Sequence, residues 1–152
     1  MIRKEFFKGI RYPYITNASP NKRHDGINIA RAAYAVDSSV LETEINEKNN
    51  PVFKLESLSR MQGLDSSDAH SALTDATLTA KILSIIKKRQ PSTWDMFLRT
   101  ANKLDTETIF KKEEIFSLNE YFYGKSRLYL CAPLHPKHCI HPVYNWGQCV
   151  DI

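Results

Sequence analysis

The chain has 152 residues, 42% of them apolar and 25% charged, which suffices for one core-forming domain with room for part of a second. That composition excludes a disordered chain, and no apolar run reaches membrane-spanning length, so a soluble, cytoplasmic protein is expected. Lys plus Arg outnumber Asp plus Glu by 21 to 17, a net charge of +4 that permits a polyanionic partner without demanding one.

The first two dozen residues are aromatic and basic, with Phe6, Phe7, Lys8, Arg11, Tyr12 and Tyr14 leading into a loop through Pro20. Asp25 is placed to cap a helix over about 27–36, with Ile27, Ala30 and Tyr34 on one face. Residues 37–51 are polar and Asn/Glu-rich, the composition of a loop. Leu55, Leu58 and Met61 recur at helical spacing over 54–62, and Gly63 is positioned to end that helix.

After an Asp/Ser turn, a main helix is expected over about 69–88, with Leu73, Ala76, Ala80, Leu83 and Ile86 as its buried stripe. Lys87, Lys88 and Arg89 suit the negative end of its dipole. Pro91 then opens another helix through Trp94, Phe97 and Leu98, the first two being core residues. Residues 103–114 read as a charged connector, followed by strand-like stretches at 115–118 and 128–131 among several prolines. A boundary near Lys103 separates residues 1–102 from residues 103–152, which resemble a small β module that stops before closing and leaves an unpaired edge.

Three cysteines, Cys131, Cys139 and Cys149, all lie in the last quarter. An odd number, with no apolar leader segment, favours reduced thiols. With His135, His138 and His141 they suggest zinc, but their spacings lack the paired knuckles of structural zinc sites, so scattered strand and loop residues are expected instead.

The most informative run is Ala69-His70-Ser-Ala-Leu-Thr-Asp75-Ala-Thr77, at the start of the main helix. An imidazole can take a proton from water at neutral pH, and a carboxylate holds a hard divalent cation. Both groups near one helix end can face one solvent-filled cleft, two parts of a metal-assisted phosphodiester hydrolase. The plain alternative is a helix N-terminus carrying two solvated polar residues.

The run from His70 to Asp75 resembles the third signature of the DEDDh 3′→5′ exonucleases, and its surroundings resemble the exodeoxyribonuclease I branch of that family. Tyr12-Pro-Tyr14, Asn21-Lys-Arg-His-Asp25, Ala30-Arg-Ala-Ala-Tyr-Ala35 and Phe53-Lys-Leu-Glu-Ser-Leu58 follow the family's order. So do Gly63, Asp68-Ala-His70 and Lys88-Arg-Gln-Pro91, while Ala132-Pro-Leu-His-Pro136 resembles the opening of its SH3-like module.

The resemblance implies an α/β fold: the C-terminal, mostly helical half of a ribonuclease H-like exonuclease domain, followed by the start of an SH3-like β module. It implies hydrolysis of single-stranded DNA from the 3′ end in repair or recombination, with two Mg²⁺ or Mn²⁺ ions. Asp75 would be a metal ligand, and His70 the base that takes the proton of the attacking water.

Arg3, Tyr14, Arg31 and Lys54 match family positions suited to single-stranded DNA, where cations track phosphates and a tyrosine stacks on a base. Lys54 replaces an arginine, so a forked phosphate grip there becomes a point-charge contact. Solvated charges, an edge-of-core Tyr14 and an Arg31 stem covering the Ala-rich helix face remain the alternatives.

By the family's order, Met1 falls after the second signature, so three of the four metal carboxylates are expected elsewhere, on an upstream polypeptide. Asp105-Thr-Glu-Thr108 spells the first signature, but Arg99-Thr-Ala-Asn-Lys-Leu104 before it is not an apolar strand, and a solvated connector is expected. The chain is therefore expected to be inactive alone. Two rival readings stand beside this one: a non-catalytic DNA-binding or assembly subunit of a split exonuclease, and a helical adaptor whose histidine is incidental.

Overall fold

Asp25 accepts a hydrogen bond from the Ile27 N–H at 3.1 Å and caps the first helix, α1 (Gly26–Val36), as its position in the sequence indicates. The computed structural model describes residues 8–10, 12, 14, 16, 21, 24–64, 71–99, 103–112, 114–135 and 138–152. Five α-helices and a three-stranded antiparallel sheet are formed among them, a mixed α/β arrangement. None of these helices is long and apolar enough to cross a membrane.

The polar segment after α1 is more ordered than its composition suggests. Asp37 accepts from the Ser39 N–H (2.8 Å) to start a short 3-10 turn, Ser38–Val40, which delivers Val40 and Leu41 into the core. Helix α2 (Leu55–Met61) ends in a Schellman arrangement: the Leu64 N–H donates to the Ser59 carbonyl (2.9 Å) and the Gly63 N–H to the Arg60 carbonyl (3.0 Å). Gly63 takes the left-handed conformation this requires, φ +68°.

The main helix, α3 (Ala72–Arg89), starts later than expected, because Ser71 is its cap and accepts from the Thr74 N–H at 3.3 Å. Its buried stripe is also rotated from the expected one. Leu78, Ile82 and Ile86 are buried, the last two in one cluster with Ile29, Ala30 and Ala33 of α1, whereas Leu73, Ala76 and Ala80 are exposed and Leu83 is half-buried. The sequence offers both faces at helical spacing, and the face with more apolar area per turn is the one taken from water. At the far end, Arg89 Nη1 donates to the Val40 carbonyl (2.8 Å) and Gln90 Nε2 to the Ala33 carbonyl (3.1 Å), locking α3 onto the turn after α1.

Helix α4 (Pro91–Arg99) places Trp94 and Phe97 half-buried against this core. The segment read as a connector is instead helix α5 (Lys103–Lys111), with Ile109 and Phe110 buried and an Arg99–Glu114 ion pair linking it to the end of α4. Two apolar residues in a charged stretch carry this helix, too few to show as periodicity. Asp105 and Glu107 thus lie on a helix rather than on a strand.

Strands β1 (Phe116–Phe122), β2 (Lys125–Pro133) and β3 (Cys149–Asp151) pair in the order β1-β2-β3, with Phe116 opposite Cys131 and Cys131 opposite Asp151. The β1–β2 turn is Tyr123-Gly124, both with positive φ (+50° and +82°), the type I′ geometry that matches strand twist. Gly124 lies against the Asn50 side chain, where an added Cβ would sit 2.7 Å from Nδ2. Tyr121 of β1 packs on the helical core, its ring edge-on to Phe53 at 6.4 Å, while Phe53 meets Tyr34 of α1 at 5.5 Å.

Candidate functional site

The candidate site is built at the start of α3. Ser71, in extended backbone, turns the chain into the helix, and the Asp75 N–H donates to its carbonyl at 2.9 Å. Asp75 therefore occupies the first turn, half-buried, where exposed N–H groups favour a negative charge. Leu78 is buried one turn behind it, and Ile82 holds the helix to the core. Thr79, one turn further along the same face, lines a groove of about 230 Å³ between α1, α2 and α3, with Asp25, Gly26, Ile27 and Leu55 among its other walls. Asp75 thus sits one turn beyond an open groove.

His70 immediately precedes the Ser71 cap and lies outside the described residues, as does Arg3. Tyr14 is 50% exposed and meets Tyr12 edge-on at 5.8 Å. Lys54 is exposed at the N-cap of α2, with no capping bond from its side chain. Arg31 is half-buried on α1, its guanidinium carbon 3.6 Å from the centroid of Tyr121 and 6.0 Å from that of Phe53. Its Nε is buried and makes no hydrogen bond among the described residues. Arg31 is thus held at a junction with Phe53 and Tyr121, while Lys54 is exposed and Tyr14 has its ring partner in Tyr12.

Among the described residues no three His, Cys, Asp or Glu side chains converge to hold a metal ion. Cys131 and Cys149 lie on adjacent strands, and Cys139 is buried in the loop between them. Burial and the neighbouring Cys149 thiol push the Cys131 thiol up to about 11. Glu44, gripped by Arg60 and by the Ser57 hydroxyl (2.8 Å), is held below the usual carboxylate range by those two hydrogen bonds. It braces α2 against the preceding loop.

One exposed feature escaped the sequence reading: His141, Tyr144 and Trp146 stack in the loop before β3. The only signal was a local density of aromatic residues among prolines.

No family model matches the chain. Among curated proteins, exodeoxyribonuclease I of Buchnera aphidicola from Schizaphis graminum is 32% identical over 102 residues, 66% of this chain and 21% of that protein. Among solved structures, E. coli exonuclease I in complex with a dA16 oligonucleotide superposes with a TM-score of 0.72 at 25% identity, covering 98% of this chain and 32% of that one. The chain is homologous to bacterial exodeoxyribonuclease I. It spans about a fifth of the length of the first relative and about a third of the exonuclease I structures it matches. Another of these, a zinc-bound E. coli exonuclease I–single-stranded DNA complex, has a TM-score of 0.65 at 26% identity, over 94% of this chain and 30% of that one. The helices and the small sheet together therefore correspond to part of exodeoxyribonuclease I.

Proposed function

We propose that this chain is one portion of a 3′→5′ exonuclease acting on single-stranded DNA. In this reading residues 1–102 form the C-terminal part of a ribonuclease H-like domain, and residues 103–152 begin an SH3-like module. The observation that carries the reading is Asp75: a carboxylate on the first turn of a capped helix, following His70 in the third-signature spacing, within a fold homologous to that enzyme. Asp75 is the donor this chain gives to a Mg²⁺ or Mn²⁺ centre, and His70 is the base that accepts a proton from the attacking water.

One carboxylate does not make such a centre, because Mg²⁺ demands a near-octahedral oxygen shell. Among the described residues the donors do not converge into a complete site. In this reading the remaining carboxylates belong to the part of exodeoxyribonuclease I that lies ahead of the matched portion. Arg3, Tyr14, Arg31 and Lys54 contribute to DNA contact, Arg31 by way of the junction with Tyr121.

A second reading, a non-catalytic DNA-binding or assembly subunit, is favoured by one observation: Leu73 is 78% exposed, on a face of α3 shared with exposed Ala76 and Ala80. Apolar side chains on an outward face are suited to a protein partner. The discriminating experiment mixes the chain with the upstream polypeptide and follows release of nucleotides from a 3′-labelled oligonucleotide in Mg²⁺. In the enzyme reading Asp75→Ala removes the rescued activity and spares oligonucleotide binding. In the assembly reading Asp75→Ala changes neither.

A further inference from the structure

The loop between β2 and β3 carries an ordered stack of rings that neither the core nor the proposed centre uses. Gly147 pairs with Ile140 in an isolated antiparallel bridge. Above it the turn is closed by the His141 N–H donating to the Trp146 carbonyl (2.8 Å) and the Asn145 N–H donating to the His141 carbonyl (2.9 Å). His141 Nδ1 accepts from the backbone N–H groups of Val143 and Tyr144, both at 3.2 Å, which pins the imidazole to the turn.

On this frame the His141 and Tyr144 rings lie 4.9 Å apart at 31°, and the Tyr144 and Trp146 rings 4.8 Å apart at 24°. Rings of this size are ordinarily drawn into a core, yet Tyr144 is 61% and Trp146 67% exposed. Gly147 is pressed against the ring of Phe110, leaving no room for a Cβ, so the ladder is seated on α5. Lys111 and Lys112 follow Phe110 there, both exposed, with Lys111 3.7 Å from Glu107.

We propose that the His141–Tyr144–Trp146 ladder is a stacking platform for an unpaired base of single-stranded DNA, with Trp146 as its terminal ring. The proposal rests on single-stranded DNA being the ligand of the larger assembly. A base has a π-face to lay on the end of the ladder whatever its sequence, and the exposed lysines that follow Phe110 on α5 suit its phosphates. The rings are already aligned, so little side-chain freedom is lost when a base adds to them. A protein surface could also cover two large rings, but the exposed Lys111 and Lys112, which follow Phe110 on the helix that Gly147 contacts, favour a polyanion.

Trp94 and Trp146 are the two tryptophans of the chain, which gives a direct readout. In the full chain carrying Trp94→Phe, the remaining fluorescence is titrated with oligo(dT) and with an abasic oligonucleotide of equal length and charge. Quenching by oligo(dT) but not by the abasic strand is expected. By anisotropy of a labelled oligo(dT), with Trp94 retained, Trp146→Ala is expected to weaken binding by about 5- to 150-fold, and Trp146→Phe by less. Equal quenching by both strands, unchanged affinity in Trp146→Ala, or concentration-dependent self-association that shields Trp146 without DNA would overturn the platform. None of those results touches the rescued hydrolysis assay with Asp75→Ala, so the platform and the exonuclease reading fail separately.

Discussion

The guanidinium of Arg31 lies 3.6 Å from the ring centroid of Tyr121, so a cation on α1 is stacked on the first strand of the sheet. This contact joins the two halves of the chain at the position where Phe53 also meets Tyr121. A cation over a partly desolvated ring contributes on the order of 1–2 kcal/mol, and the arginine stem adds packing. Arg31→Ala and Tyr121→Leu are therefore each expected to lower stability by about that amount in urea unfolding. Their double variant should lose less than the sum, because the two changes remove one shared contact. If Arg31 also meets phosphate, Arg31→Ala flattens the salt dependence of oligonucleotide binding, whereas Tyr121→Leu does not.

The rotated stripe of α3 gives a paired test. Ile86 is fully buried and Leu73 is 78% exposed. Ile86→Ala is expected to cost about 2–5 kcal/mol, and Leu73→Ala about 0.5 kcal/mol or less, read from denaturation midpoints. The same comparison marks how far the sequence could be read. Caps and stops were legible, because Asp25 and Gly63 act through their own local chemistry. The Lys/Arg run closing α3 was legible for the same reason. The phase of α3 was not, because choosing between two apolar faces requires knowing where α1 lies. Helix α5 was hidden because its buried residues, Ile109 and Phe110, are adjacent rather than periodic. The place of Asp75 near the start of α3 was legible from its motif, whereas the stacking of Tyr144 on Trp146 depends on a turn closed by backbone bonds between nearby residues.

Glu44 supplies a pH dependence with a definite sign. Its hydrogen bonds to Arg60 and Ser57 hold its folded value below that of an ordinary glutamate. The stability it contributes is therefore present above the ordinary value and is lost as pH falls through the depressed folded one. Glu44→Gln is expected to shallow the acid limb of a stability–pH profile while leaving the slope above pH 6 unchanged. A mutant whose acid limb matches the parent would show that the pairing is not maintained in solution.

The thiols are expected to react in a fixed order. Cys131 and Cys139 are buried and Cys149 is half-buried, and the Cys131 thiol is pushed up to about 11 by burial and its Cys149 neighbour. Alkylation with iodoacetamide at pH 8, followed by peptide mass mapping, should label Cys149 first, because the thiolate is the reacting species and access is needed. Labelling of Cys131 at the same rate would contradict the buried β2 position.

The central claim is that Asp75 supplies one oxygen ligand to a divalent-ion centre that this chain does not complete. Mn²⁺ binding followed by electron paramagnetic resonance tests it most directly, on the chain alone, with the upstream polypeptide, and with Asp75→Ala in that mixture. Tight Mn²⁺ binding is expected only in the mixture and is lost with Asp75→Ala. Undiminished binding in the Asp75→Ala mixture, or Mg²⁺-dependent degradation of single-stranded DNA by the chain alone, would contradict it.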